Sequence, residues 1–161
     1  MKRRTVKSAP TELDATDRRL LALLQADCAL TNDELASRAH VSPATSLRRV
    51  RRLVEAGVIE RRIAIVSPQA AGGVTAIVEV TLEQQTAEEL DRFEAHVAAA
   101  GEVQQCYRVA SGPDFVLVVF VPDVAAYHAF AHRVLTAQAN VRNVRSFFAV
   151  KRCKFEPKVP L

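Results

Sequence analysis

An α+β chain in two parts, a basic helical front and a back half in which strands and helices alternate, is predicted by three features of the 161-residue sequence. Short apolar stripes at helical spacing, each opened by a capping residue, fill the front. A turn-rich stretch from Ser67 to Gly73, "SPQAAGG", interrupts them. Beyond it, apolar residues recur by turns at the two-residue period of a strand and at the period of a helix.

The front half reads in order as follows. Residues 1–12 form a basic, Pro-containing tail that is expected to be mobile. Its Lys2, Arg3, Arg4 and Lys7 either add a non-specific grip on phosphates or simply solvate a loose end. Asp14 can cap a first helix, whose Leu20, Leu21 and Leu24 make an apolar stripe with Leu13 just ahead. "TNDE", Thr31 to Glu34, has the capping-box form: a hydroxyl for the third amide and a Glu that reaches back. It opens a short second helix through Leu35, Ala36 and Ala39. "HVSPAT" then supplies a tight turn, with Ser42 as N-cap and Pro43 at the first helical position, where a missing N–H costs nothing. A third helix runs to Gly57, which suits a helix C-terminus.

On that third helix, turning about 100° per residue, Leu47, Val50, Leu53 and Val54 fall on one side, as a core face. Ala44, Thr45, Arg48 and Arg52 fall opposite, flanked by Arg49 and Arg51. Two short helices, a tight turn and a longer basic helix make a helix-turn-helix, whose last helix enters a major groove. "VIERRIAIV" after Gly57 alternates like a strand pair, and its Arg61 and Arg62 are placed to reach flanking phosphates as a small wing.

Behind the linker, Val74 to Leu82 reads as a strand and Thr86 to Ala100 as a helix with Leu90, Phe93 and Val97 on one face, ended by Gly101. Val103 to Ala110 is a second strand, "SGPD" a turn, and "FVLVVFV", Phe115 to Val121, a third strand. Asp123 caps a helix bearing Tyr127, Phe130, Val134 and Leu135, and Val144 to Val150 is the last strand. The order β-α-β-β-α-β is the ferredoxin-like arrangement. Helices cover one face of such a sheet, yet "FVLVVFV" is apolar on both. The same sheet of a second subunit is the simplest cover, which predicts a two-fold dimer and two helix-turn-helix units for a palindromic site.

Charge agrees with this division. The net charge is +4, but up to Val66 there are 13 Lys and Arg against 8 Asp and Glu, and from Ser67 onward 9 against 10. A basic front joined to a near-neutral back suggests that one part meets a polyanion. No apolar run approaches the roughly 20 residues of a membrane span, and no apolar stretch follows the charged start as in a signal peptide, so a cytoplasmic location is expected. Cys28, Cys106 and Cys153 lie far apart without a CxxC pair and read as reduced packing residues.

The quoted stretches resemble the Lrp/AsnC family, the leucine-responsive and asparagine-responsive "feast or famine" transcription regulators, from Leu13 to about Lys154. "LDATDRRLLALLQAD" is similar to the family's opening helix, and "VSPATSLRRVRRLVEAGVI" to its pattern LSPxxxxxRVRRLExxGxI. "VQQCYRVASGPDFVLVVFVPDVAAYHAF" resembles its amino-acid-sensing domain. The resemblance implies a dimer that assembles into tetramers, octamers or larger discs, with amino acids or related metabolites bound at contacts between dimers. It implies that Asp114 is the effector-loop aspartate that helps hold the ligand's amino group. Ser111 stands where the family usually has Gly, and Gly112 and Pro113 follow, a departure in the same loop. By the same match Phe147 and Phe148 lie on the strand lining the pocket, and Val124 starts the facing helix.

The expected layout is therefore a basic tail (1–12), a winged helix-turn-helix (13–65), a linker (66–73), a ligand-sensing and oligomerisation domain (74–154) and a C-terminal tail (155–161). The DNA-binding residues are expected to be Ser42, Ala44, Thr45, Arg48, Arg49, Arg51, Arg52, Arg61 and Arg62. Thr45, Arg48 and Ala44 are best placed for base edges, and Arg52, Arg61 and Arg62 for phosphates. An arginine run is also what a solvated face with salt bridges looks like, with Glu55 as one partner. Ser-Gly-Pro-Asp is an ordinary turn in which Asp114 can bond its own loop. His128 and His132 have the i, i+4 spacing of metal ligands but no HExxH pattern, so neither a metal nor a cofactor is expected. The cysteines sit in no nucleophile motif. A regulator of double-stranded DNA is the favoured reading. A DNA-coating architectural protein and a small enzyme on a ferredoxin-like fold are the alternatives, the latter without any paired acid and base.

Overall fold

The structure, a computed structural model, describes residues 12–161. The basic tail lies outside the described residues except for Glu12. Two compact units make up the rest: one runs to Ile65 and regains the chain at Phe155–Leu161, and the other is Val66–Lys154.

The first unit holds α1 (Ala15–Ala26), α2 (Asn32–Ala39) and α3 (Pro43–Glu55). Asp14 caps α1 through a capping box with Asp17, Thr31 caps α2 with Glu34, and Ser42 caps α3 with Pro43 behind it. Each boundary therefore falls where a side chain satisfies amides that the helix leaves unpaired. Leu20, Leu35, Ala39 and Val50 form the core, packed by Leu23, Leu24, Leu30, Val41 and Ile59. His40 turns the chain between α2 and α3 in a left-handed conformation, φ 56°, and Gly57 does the same after α3 at φ 73°.

Two expectations for this unit, and one for the cysteines of both units, are corrected. The inner face of α3 is Ser46, Arg49, Val50 and Leu53; Leu47 and Val54 stay 51% and 44% exposed. The helix is rotated by roughly 60° from the position its apolar residues alone suggest. A buried acid on α1, described below, draws Arg49 inward. The strand pair of the wing does not form: residues 58–66 carry no strand pairing, and Ile63, Ile65 and Val66 are exposed. Alternation supplies a strand's period but not its partner. Finally, Cys28 and Cys153 are exposed, and only Cys106 packs against a core.

In the second unit the linker closes into a single turn, α4 (Pro68–Ala71), ahead of β1 (Val74–Leu82). Then come α5 (Ala87–Ala98), β2 (Val103–Arg108), β3 (Phe115–Val121), α6 (Val124–Phe130) continuing as a π-helical turn over Ala131–Thr136, and β4 (Val141–Phe148). The sheet order is β2-β3-β1-β4, with every neighbour antiparallel. This is the expected β-α-β-β-α-β order, an α+β fold with the helix-turn-helix in front. The last strand starts three residues earlier than its apolar pattern suggests, with Val141 accommodated by a register shift at Thr81/Leu82, and ends at Phe148.

One sheet face carries Ala76, Val78, Val80 and Leu82 of β1 and Phe115, Leu117, Val119 and Val121 of β3, all buried. Phe93 and Val97 of α5 and Tyr127, Phe130, Val134 and Leu135 cover it. Gly73 is required where β1 begins. At φ 140°, a Cβ there would lie 2.6 Å from the Val121 carbonyl oxygen and 2.7 Å from the Phe120 ring. The opposite face presents Ile77, Val116, Val118, Phe120, Tyr107 and Phe147 around a Glu79–Arg145 ion pair of 3.3 Å. Helices leave it open.

Candidate DNA interface and effector loop

The N-terminal end of α3 is built by short polar contacts. The Thr45 amide donates to Ser42 Oγ at 3.2 Å, and Ser42 Oγ donates to Thr45 Oγ1 at 2.9 Å. Asn32 Nδ2 donates to the Pro43 carbonyl at 3.0 Å, tying the start of α2 to the start of α3. At the start of α2, the Thr31 amide and hydroxyl both donate to Glu34, at 2.8 Å each, and hold its carboxyl below the usual range. The helix pair is thus fixed at the turn, leaving α3 free to present a face.

That face carries Ala44, Arg48 and Arg51, all exposed, with Thr45 half-buried and Leu47 between them. Among the described residues, Arg48, Arg51, Arg61 and Arg62 make no ion pair with the protein. An open groove of about 500 Å³ runs between Leu47, Val50, Val54 and Ile59, with Arg51, Arg61 and Arg62 along its edge. Leu47, expected in the core, stands instead on the exposed side of α3.

Arg49 and Arg52 sit differently. Asp17, fully buried on the Leu20–Leu21 side of α1, accepts from Arg49 Nη1 at 2.9 Å and from Arg52 Nη2 at 2.5 Å. Asp14 accepts from the same Arg49 nitrogen at 2.6 Å. The Asp17 amide and then Arg49 lower the Asp14 carboxyl from 3.8 to about 2, while Asp14 and then Asp17 hold the Arg49 guanidinium proton more firmly than usual. The Arg49 side chain keeps 20% of its exposure and Arg52 47%. Arg49 therefore spends its charge inside the unit, and Arg52 is the more exposed of the two. Asp17 is the residue that pattern reasoning passed over. Its signal was an acid in line with Leu20, Leu21 and Leu24 on the apolar stripe of α1.

The residues assigned to an effector do not converge within one chain. The Asp114 Oδ2 accepts from the Leu82 amide at 2.7 Å and from Gln85 Nε2 at 3.3 Å, and the Asp114 amide donates to the Val80 carbonyl at 2.9 Å. Asp114 thus bonds its own loop to the end of β1. Ser111, at φ 69°, and Gly112, at φ 106°, make the exposed turn before it. Phe148 and Phe147 lie at the other end of the sheet, opposite Ala76 and Ile77. From there to Leu82 is about 20 Å of strand. Successive residues of a strand face opposite ways: Phe148 meets the Tyr127 ring edge-on at 5.0 Å, while Phe147 stands on the open face under Arg145. Val124, 46% exposed, begins α6 at that same far end.

A helix-turn-helix unit followed by a four-stranded αβ unit is the layout of a DNA-binding regulator with a ligand-binding domain. A family profile described as winged helix-turn-helix DNA-binding matches residues 13–60, and one described as the Lrp/AsnC ligand binding domain matches 75–159. The leucine-responsive regulatory protein of Rhizobium meliloti is 37% identical over 89% of this chain and 92% of its own length. An AsnC family transcriptional regulator from Agrobacterium tumefaciens superposes with a TM-score of 0.82 at 36% identity, covering 92% of this chain and 97% of that one. A transcriptional regulator from Neisseria meningitidis, solved in complex with L-Met, does so at 0.82 and 31% identity, with the same coverage. The chain belongs to the Lrp/AsnC family of transcriptional regulators; its relatives are regulators and not enzymes.

Proposed function

We propose that this regulator binds double-stranded DNA sequence-specifically, with α3 in the major groove, and acts in the cytoplasm. The observation that carries this reading is the set of arginines that make no ion pair among the described residues, Arg48, Arg51, Arg61 and Arg62, gathered on and beside the exposed face of α3. Ala44, Thr45 and Arg48 read base edges; Arg52, Arg61 and Arg62 meet phosphates; Ser42 shapes the turn. No helix among the described residues is long and apolar enough to cross a membrane.

The second unit dimerises through its open sheet face and assembles further into tetramers or octamers. An amino acid or related metabolite binds at contacts between dimers and shifts affinity for DNA, by favouring one assembly over another. The placement of the effector residues supports a shared site: Ser111, Gly112 and Asp114 at one end of the sheet and Val124, Phe147 and Phe148 at the other can meet only if different subunits supply them.

The test is in vitro selection of duplexes from a random pool, followed by footprinting of the enriched sequences. Discrete half-sites spaced by about one helical turn are expected. Uniform protection without enrichment would assign the chain to DNA coating instead.

A further inference from the structure

We infer that Asp17 is a positioning residue for DNA contact, acting through Arg52, and that Arg49 is its lock and touches no DNA. The inference rests on the DNA-binding reading above and deepens it.

A carboxylate with no exposed surface is retained in a folded unit only when cations and hydrogen bonds replace its water. Asp17 has two guanidinium groups for this purpose, and they are not equivalent. Arg49 gives one nitrogen to Asp14 and Asp17 together, at 2.6 and 2.9 Å, and is mostly covered. It neutralises the buried acid and joins α1 to α3. Arg52 gives Asp17 only Nη2 and leaves nearly half of its side chain in solvent. A guanidinium has five N–H donors in a rigid plane, so fixing one nitrogen fixes the direction of the others. Arg52 lies one turn beyond Arg48 on α3, on its exposed side. A long side chain that would otherwise sample many rotamers is thereby held in one orientation before DNA arrives, and less entropy is lost on contact.

This arrangement makes a prediction of unusual sign. By charge alone, removing an acid beside a DNA interface strengthens binding to every sequence. A positioning role predicts the reverse for the selected site and not for random DNA, because a phosphate contact held in one direction sets the register in which α3 meets base edges, and only the selected site rewards that register. The experiment measures the affinity of full-length wild type, Asp17→Asn, Arg52→Ala and the double variant for a selected duplex and a scrambled one, over a range of KCl concentrations. Circular dichroism first establishes that each is folded at the assay temperature. Asp17→Asn is expected to bind the selected duplex about tenfold more weakly while holding or gaining affinity for the scrambled one. In the Arg52→Ala background, the same change is expected to cost nothing further on the selected duplex. Independent, additive losses, or an Asp17→Asn protein that keeps its preference, would overturn the inference.

Should Asp17→Asn fail to fold, Arg52→Lys decides the matter, since that position is half-exposed. Lysine keeps the charge but cannot bridge an acid and a phosphate in one plane. It is expected to lose preference for the selected duplex with its salt dependence intact; a wild-type preference would reject the positioning role. If wild type itself binds neither duplex in a salt-dependent way, the DNA-binding reading falls, an outcome distinct from either failure.

Discussion

Arg48 and Arg62 carry the same charge, and both are exposed and free of ion pairs among the described residues, but they stand on different backbone. Arg48 projects from the middle of a capped helix, whereas Arg62 lies in a segment outside any helix or strand. A base contact needs a fixed frame, whereas a phosphate contact from an arginine that no acid holds in place needs mainly charge. Arg48→Ala is therefore expected to relax sequence preference. Arg62→Ala should weaken selected and scrambled duplexes in equal ratio and lower the slope of log affinity against log salt by about 0.9. Equal loss ratios for both variants would refute the assignment. Asp14 makes a separate prediction in pH. Its folded value of about 2 lies below the ordinary 3.8, so its contribution is fully present above the ordinary value and is lost as pH falls through the folded one. The difference in melting temperature between wild type and Asp14→Asn should be constant near neutrality and shrink as pH drops from about 4 towards 2, which calorimetry can follow.

At the scale of elements, Gly73 is the most constrained point of the second unit, because the start of β1 presses on the end of β3. Gly73→Ala meets backbone as well as a ring and should destabilise that unit by about 1–3 kcal/mol in urea unfolding. An unchanged midpoint would show that the strand can shift to make room. Elements closed by local chemistry were legible from the sequence: the caps at Asp14, Thr31, Ser42 and Asp123 sit where their side chains and following amides require. What was illegible depended on partners distant in the chain. The face of α3 is set by Asp17, 32 residues from Arg49. The wing has the alternation of a strand and no strand beside it. Phe147 and Phe148 are adjacent in sequence, yet the sheet sends them to opposite faces, and no property of the pair itself says which one meets Tyr127.

For the whole molecule, the proposed dimer rests on the open sheet face. Val118 sits in its centre, opposite Ile77 of β1 and Gln105 of β2. Val118→Asp leaves the helix-covered core untouched and places a charge where a partner sheet would lie. Light scattering should show loss of the dimer, with weaker binding to a palindromic duplex and little change on a single half-site. A dimer that survives the change would move the interface elsewhere. The chain's return to its first unit matters for a different reason. Gln25 of α1 bonds the Val159 backbone twice, accepting from its amide at 2.7 Å and donating to its carbonyl at 3.0 Å. Phe155–Leu161 is thus a piece of the DNA-binding unit even though the sensing domain precedes it in sequence. A dye attached after Leu161 would therefore report what happens beside α1, in the helix-turn-helix unit, although the chain reaches that point through the sheet.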